Sequence, residues 1–408
     1  MSRTTLRIKP MAAASSTSPV SSSFPVTLLL LLLLLSTQDC PTFAVSRSTA
    51  AFLPGFQGPL PFHLETGYVG VGESEGVQLF YYFVKSERNP RQDPLILWLT
   101  GGPGCSALSS LLFEIGSLHF RMEEYNGTLP TLVLNPDSWT KVSSIIFVDL
   151  PAHTGFSYTT FPIAPQRSDS KQIQHAVQFL NKWLTFHPEF HSNPMYIGGD
   201  SYSGMIVPAV ALEISKGINF AHILEPTCFF ASPKPQKFSD RRSLDGMPVS
   251  LLASDPQPSL PPIACRNYQG LLSQYWANDG SVHKALGIRQ GSIGKWVRCI
   301  KTPYTKEIES SVPFHASLSA KGYRALIYSG DHDLVVPFLG TQAWIRSLNY
   351  SVLDEWRPWL VKGQVAGYTR TYSNEMTYAT VKGGGHTAPE QPEECFAMFE
   401  RWISHKPL

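Results

Sequence analysis

Charge is scarce in this sequence. Asp, Glu, Lys and Arg make up 16% of 408 residues and leave a net charge of +2. No basic run is interleaved with aromatics, so nucleic acid is not an expected partner. No cluster of His, Cys, Asp and Glu stands at metal-ligand spacing, and no phosphate-binding loop is present, so no metal or other cofactor is expected. Long apolar runs are missing too. The N-terminal run Val26–Leu35 contains eight consecutive leucines but is too short for a comfortable membrane span. Arg3, Arg7 and Lys9 precede it and small residues follow in Thr42–Ser46. Residues 1–45 therefore read as a signal peptide, with an uncleaved signal anchor as the alternative and Met11 as a second candidate start. The expected destination is the secretory pathway, extracellular or vacuolar.

Cysteine is limited to six residues: Cys40, Cys105, Cys228, Cys265, Cys299 and Cys395. Cys40 leaves with the signal, and the other five cannot all pair. A catalytic thiol at Cys105 is one alternative, although no histidine lies in its immediate neighbourhood. Asn126-Gly-Thr and Asn349-Tyr-Ser are glycosylation sequons. What the chain does have is apolar: 43% hydrophobic and 12% aromatic residues specify a globular fold. The 33 prolines and 30 glycines imply many loops between short elements.

One stretch organises the rest. Gly198-Gly-Asp-Ser-Tyr-Ser-Gly204 follows a short apolar run and precedes apolar residues at helical spacing, Met205, Ile206, Val207, Val210, Ala211 and Ile214. Strand, glycine-framed turn and helix form a nucleophile elbow with Ser201 at its apex. A serine nucleophile needs a base and an orienter for that base. His386 in Lys-Gly-Gly-Gly-His-Thr-Ala-Pro-Glu (382–390) is the base candidate, after an apolar run at 376–381. Asp331 and Asp333 both end the apolar run at 325–329 and compete as orienter. The order Ser, Asp, His is that of an α/β-hydrolase. The glycine turn 101–104 after Pro-Leu-Ile-Leu-Trp-Leu offers oxyanion donors.

These phrases, with Leu-Pro-Gly-Phe-Gln-Gly-Pro-Leu-Pro-Phe (53–62), Trp-Leu-Thr-Gly-Gly-Pro-Gly-Cys-Ser-Ala (98–107) and Thr-Gly-Phe-Ser-Tyr (154–158), resemble the plant serine carboxypeptidase-like family from about Leu53 onward. The resemblance implies Ser201, Asp333 and His386 as the triad, with Asp331 capping its turn. It implies the Gly102 and Tyr202 amides as the oxyanion hole, and the disulfides Cys105–Cys299 and Cys228–Cys265, with Cys395 left over. Thr100, Gly101, Asp200 and Glu114 fall at substrate-binding positions. The carboxypeptidase branch carries asparagine where Thr100 stands and glutamate where Asp200 stands. Both substitutions resemble the acyltransferase branch. His153 stands where relatives carry small residues.

Strands alternating with helices predict a mostly parallel central sheet covered by helices on both faces, within one α/β-hydrolase domain over residues 46–408. An opening hairpin is expected over 67–73 and 77–86, and another over 359–381. The resemblance implies that the region 217–300 is a shortened insertion: the strand that relatives carry after the elbow helix is missing, with Ile218–Ile223 a short stand-in. The resemblance implies acyl transfer from a glucose ester to an alcohol through an acyl-enzyme. The alternatives are a carboxypeptidase releasing C-terminal residues and a catalytically inactive truncated or splice form, such as a secreted binding protein. The expected partner is a small acyl ester or a peptide.

Overall fold

Glu73-Ser-Glu-Gly76 breaks an alternating apolar pattern and folds the chain back on itself. In a computed structural model, which describes residues 47–160, 167–215, 221–224, 267–300 and 302–408, this gives β2 (Leu64–Val71) and β3 (Val77–Val84), paired antiparallel beside β1 (Arg47–Ala50). The chain continues through β4 (Leu95–Leu99), α1 (Leu108–Phe113), a small hairpin of β5 (Leu118–Phe120) and β6 (Leu132–Leu134), β7 (Ser144–Val148) and β8 (Tyr158–Thr159). Next come α2 (Asp169–Phe186), β9 (Met195–Gly199) and α3 (Ser203–Ser215). Then follow β10 (Ala221–Leu224), α4 (Asn267–Ala277), α5 (Gly280–Ala285), α6 (Val312–Ala320), β11 (Ala325–Gly330) and α7 (Phe338–Ser347). The strands β12 (Val352–Val361), β13 (Gln364–Tyr372) and β14 (Met376–Val381) precede α8 (Pro392–Ile403). The signal segment, Cys228, Cys265 and most of the shortened insertion lie outside the described residues.

The main sheet runs β1-β2-β3-β7-β4-β9-β10-β11-β14-β13-β12. Its centre, from β7 to β14, is parallel throughout. Antiparallel strands extend it on both sides. Every residue of β4 and of β7 is buried, as a strand covered on both faces must be. Side chains alternate between the faces. Trp98, Ile145 and Phe147 meet α1 (Leu108, Leu111) and α8 (Met398, Phe399) on one side. Leu95, Leu97 and Ile146 meet α2 (Phe179, Trp183) and α3 (Ile206, Val207) on the other. The chain is an α/β-hydrolase fold.

One expectation is met with shifted bounds and one changes. The short stand-in expected over 218–223 is a strand at Ala221–Leu224: β10 pairs with β9 through Ala221 and His222, and with β11 through His222, Ile223 and Leu224. Four residues bridge the sheet, so no open edge is left between β9 and β11. The expected hairpin at 359–381 is a three-stranded meander that begins at Val352. Polar residues on the exposed face of β12 interrupt the apolar signal there.

Candidate active site

The parallel strands end at one edge of the sheet, and the predicted site residues follow β4, β9, β11 and β14 there. Ser201 holds the left-handed conformation, with φ of 54°, at the turn between β9 and α3. Such backbone strain in a serine persists only where surrounding structure enforces it. Here the Ser203 and Gly204 amides bond the carbonyls of Asp200 and Ser201 at 3.0 Å each. The Ser203 hydroxyl also donates to the Asp200 carbonyl at 2.6 Å.

Asp333 and His386 converge on the serine. His386 Nε2 lies 3.1 Å from Ser201 Oγ, and His386 Nδ1 lies 2.9 Å from Asp333 Oδ2. Asp333 is buried; its Oδ1 accepts the Val335 and Val336 amides at 2.8 and 3.1 Å. Burial pushes the Asp333 carboxyl up, but bonding to His386 and to those amides outweighs it and leaves it below its ordinary value. Of the two competing acids, Asp333 is the one bonded to His386. Asp331 instead accepts the Gly383 amide at 2.7 Å and so ties the β11 turn to the histidine loop.

Gly101 is pressed against the elbow. A Cβ there would lie 2.6 Å from Ser201 Cβ and 2.7 Å from the Tyr202 nitrogen. Gly102 sits at φ of 114°, and a Cβ there would lie 2.9 Å from the Cys105 nitrogen and sulfur. Glycine at 102 is thus required by the turn's own backbone. The Gly102 and Tyr202 amides donate to no described residue. Cys105 is joined to Cys299 across 194 residues, which excludes the catalytic thiol and anchors the glycine turn. Cys395 is buried in α8. Replacing both bridge cysteines by serine is expected to lower stability by about 2–5 kcal/mol, measured by denaturant unfolding. An unchanged midpoint would mean that the bridge constrains nothing.

Beneath the turn, Thr100, Glu114 and Asp200 are buried together. Ser110 Oγ joins them: it lies 2.9 Å from Thr100 Oγ1, donates to Glu114 Oε2 at 2.6 Å and accepts from Trp98 Nε1 at 3.1 Å. Asp200 Oδ1 accepts the Gly101 amide at 3.2 Å. Burial first, and the Glu114 charge second, push Asp200 well above the usual carboxylate range. The native state therefore holds this proton more tightly than the unfolded chain. That stability is present below the unfolded value and is lost as pH rises towards the folded one. Asp200→Asn, a fixed mimic of the protonated form, is expected to match wild type in melting temperature at pH 4 and exceed it at pH 8. A variant that melts lower at both would show that the carboxyl is needed as an acceptor.

Two residues of this centre lie outside every sequence motif singled out above: Ser110 in α1 and Asp169 at the start of α2. The Asp169 carboxylate accepts the Tyr202 hydroxyl at 2.7 Å, the Tyr304 hydroxyl at 2.8 Å and two amides from the 307–308 loop. Burial first and Asp169 second push the Tyr202 phenol up, so it stays a donor. A cleft of about 340 Å³ adjoins the centre, lined by Gly204 and Met205 of α3, Val335 and Val336 after Asp333, and Trp344 of α7. Asn126 and Asn349 are both exposed. Among the described residues no group of three or more His, Cys, Asp and Glu could hold a metal, and no helix is long and apolar enough to cross a membrane.

The sequence profile of the serine carboxypeptidase family matches residues 54–223 and 215–405. The chain belongs to the serine carboxypeptidase family. Serine carboxypeptidase-like 2 of Arabidopsis thaliana is 51% identical over 413 residues, covering 89% of this chain and 94% of that protein. Serine carboxypeptidase-like 11 of the same plant is 49% identical over 415 residues, covering 89% of this chain and 95% of that protein. Among solved structures, the prohormone-processing carboxypeptidase Kex1 of Saccharomyces cerevisiae superposes with a TM-score of 0.68 at 18% identity, covering 88% of this chain and 95% of that one. Family and fold together make this serine carboxypeptidase-like chain a hydrolase-type enzyme. The match in two stretches meets at 215–223, where the insertion is short. The aligned 413 residues also exceed this chain's whole length of 408, so that relative carries internal residues this chain does not.

Proposed function

We propose that this serine carboxypeptidase-like enzyme transfers acyl groups from a glucose ester to an alcohol through an acyl-enzyme on Ser201. The observation that carries the acyl-enzyme is the continuous bonding Ser201–His386–Asp333 at 3.1 and 2.9 Å beside two unengaged amides; the glucose ester and the alcohol rest on the resemblance of Thr100 and Asp200 to the acyltransferase branch. Ser201 Oγ attacks the ester carbonyl while His386 Nε2 takes the serine proton. The Tyr202 and Gly102 amides receive the oxyanion. Collapse breaks the bond to glucose, whose oxygen takes the proton from His386. The acceptor hydroxyl then gives its proton to His386 and attacks the acyl carbon, and Ser201 Oγ leaves with the proton that His386 returns to it. Asp333 keeps the imidazole in register and offsets its positive charge. Thr100 and Asp200, at positions that resemble the acyltransferase branch, belong to the acceptor pocket.

The second reading is a carboxypeptidase, favoured by the burial of Asp200 against Glu114. A protonated Asp200 donates well to a terminal carboxylate, and would do so best in acid. The glucose-ester reading predicts that the purified protein, given an aromatic acyl glucose and a panel of alcohols, forms new esters faster than free acid. Release of C-terminal residues from blocked dipeptides with no ester formed would replace it by the carboxypeptidase reading. Failure of a fluorophosphonate to label a folded sample would leave an inactive shortened form. The exposed sequons Asn126 and Asn349 belong with a secretory route.

A further inference from the structure

Arg167 is a buried cation with no counter-charge among the described residues. Its side chain is 9% exposed, and its Nη1 has no hydrogen-bond partner among the described residues. Burial alone holds the guanidinium below its ordinary value, with no carboxylate opposing it. Isolated buried charge is costly, and proteins normally pair it. The position makes matters worse. Arg167 directly precedes Ser168, which caps the 18-residue helix α2, and the N-terminal end of a helix is itself positive.

The acid two residues on, Asp169, takes four donors, the hydroxyls of Tyr202 and Tyr304 and the amides of Glu307 and Ile308, and none of them is Arg167. His153 stands close enough that the Arg167 charge, after burial, helps hold its imidazole below the ordinary value. His153 takes the left-handed conformation at φ of 67°, and its Nε2 lies 3.2 Å from Thr159 Oγ1. Next to it, Thr154 Oγ1 is buried without a hydrogen-bond partner.

This flank borders the candidate active site. The Arg167 carbonyl accepts the Thr305 amide at 2.8 Å, and Asp169, two residues on, holds the Tyr202 hydroxyl. Thr154 Oγ1 would lie 3.7 Å from a Cβ on Gly104 of the oxyanion turn. Lys306 Nζ stands 5.2 Å from the Tyr202 ring centroid.

We infer that Arg167, with His153 beside it, forms a carboxylate-binding subsite on the flank of the Ser201 centre, taking an acidic group carried by the substrate. A guanidinium held there can bond both oxygens of a carboxylate. That the acid belongs to a substrate rests on Ser201 being the nucleophile; the anion site itself does not.

Succinate titrated calorimetrically into the full chain is the direct test. Wild type is expected to bind it, less tightly as ionic strength rises. Arg167→Met should weaken binding by roughly tenfold or more, and Arg167→Lys should retain part of it. Replacing an unpaired buried charge by an apolar side chain should leave the melting temperature equal or higher. Absence of succinate binding by wild type, equal binding by Arg167→Met, or a melting temperature several degrees lower in Arg167→Met would each overturn the site. Two further arms separate the sources of the acid. Inhibition of ester turnover by succinate, weakened in Arg167→Met, indicates a small organic acid. A preference for a blocked peptide bearing Asp over its Asn counterpart, lost in Arg167→Met, indicates an acidic peptide. If wild type binds succinate but is not labelled by a fluorophosphonate, the reading of Ser201 fails while the anion site stands.

Discussion

Ser201→Ala is expected to lower turnover of an activated ester by about 10⁶-fold and to abolish fluorophosphonate labelling. The size follows from the role: without the hydroxyl no acyl-enzyme forms, and only binding and oxyanion stabilisation remain. Alanine is the right replacement. It keeps the Cβ that Gly101 packs against and meets the same left-handed backbone at φ of 54°, so the elbow keeps its strain. Glycine would relieve that strain and confound the comparison. Stability should therefore change little, by about 1 kcal/mol or less, because the bond lost is the part-buried one to His386. Loss of labelling with an unchanged melting temperature assigns the nucleophile. Residual labelling at the wild-type rate would place it elsewhere and remove the basis for the acyl-enzyme.

Most of this centre was legible because its parts are local. A glycine-framed serine between a strand and a helix, and a histidine after three glycines, are fixed by backbone demands that only certain residues meet. Distances between such parts are not local, but chain order supplied the arrangement. The choice between Asp331 and Asp333 needed coordinates: both lie on one turn, and only one is bonded to the imidazole. Ser110 and Asp169 escaped because the contacts that tie them to the centre, Ser110 to Thr100 and Asp169 to Tyr202, span 10 and 33 residues of sequence. Arg167 escaped for the opposite reason. A lone arginine before a helix reads as a solvated charge, and only burial makes its missing partner visible.

The short insertion raised the question of whether the fold survives. In parallel sheets each strand needs neighbours on both sides, so deletion of one would separate the Ser201 half from the Asp333–His386 half. β10 prevents that with two register pairs to β9 and three to β11. Backbone bonding needs only peptide groups, so four residues of little distinctive pattern suffice.

Asp333→Asn is expected to lower turnover about 10⁴-fold, whereas Asp331→Asn should cost less than about tenfold. The two carboxylates sit two residues apart but act on different partners. Asp333 Oδ2 faces His386 Nδ1 at 2.9 Å. An amide there can present its NH₂ group to Nδ1 and favour the tautomer with the proton on Nε2, which cannot accept from Ser201. Asp331 Oδ1 only accepts the Gly383 amide at 2.7 Å, and an asparagine oxygen does the same. A pH profile tests Asp333 further. The Asp333 carboxyl lies below its ordinary value, so its contribution to stability is present above the unfolded value and is lost as pH falls through the folded one. Asp333→Asn should flatten the acid limb of the unfolding profile. Equal losses of turnover in the two variants would mean that the turn as a whole, and not Asp333 alone, holds the histidine.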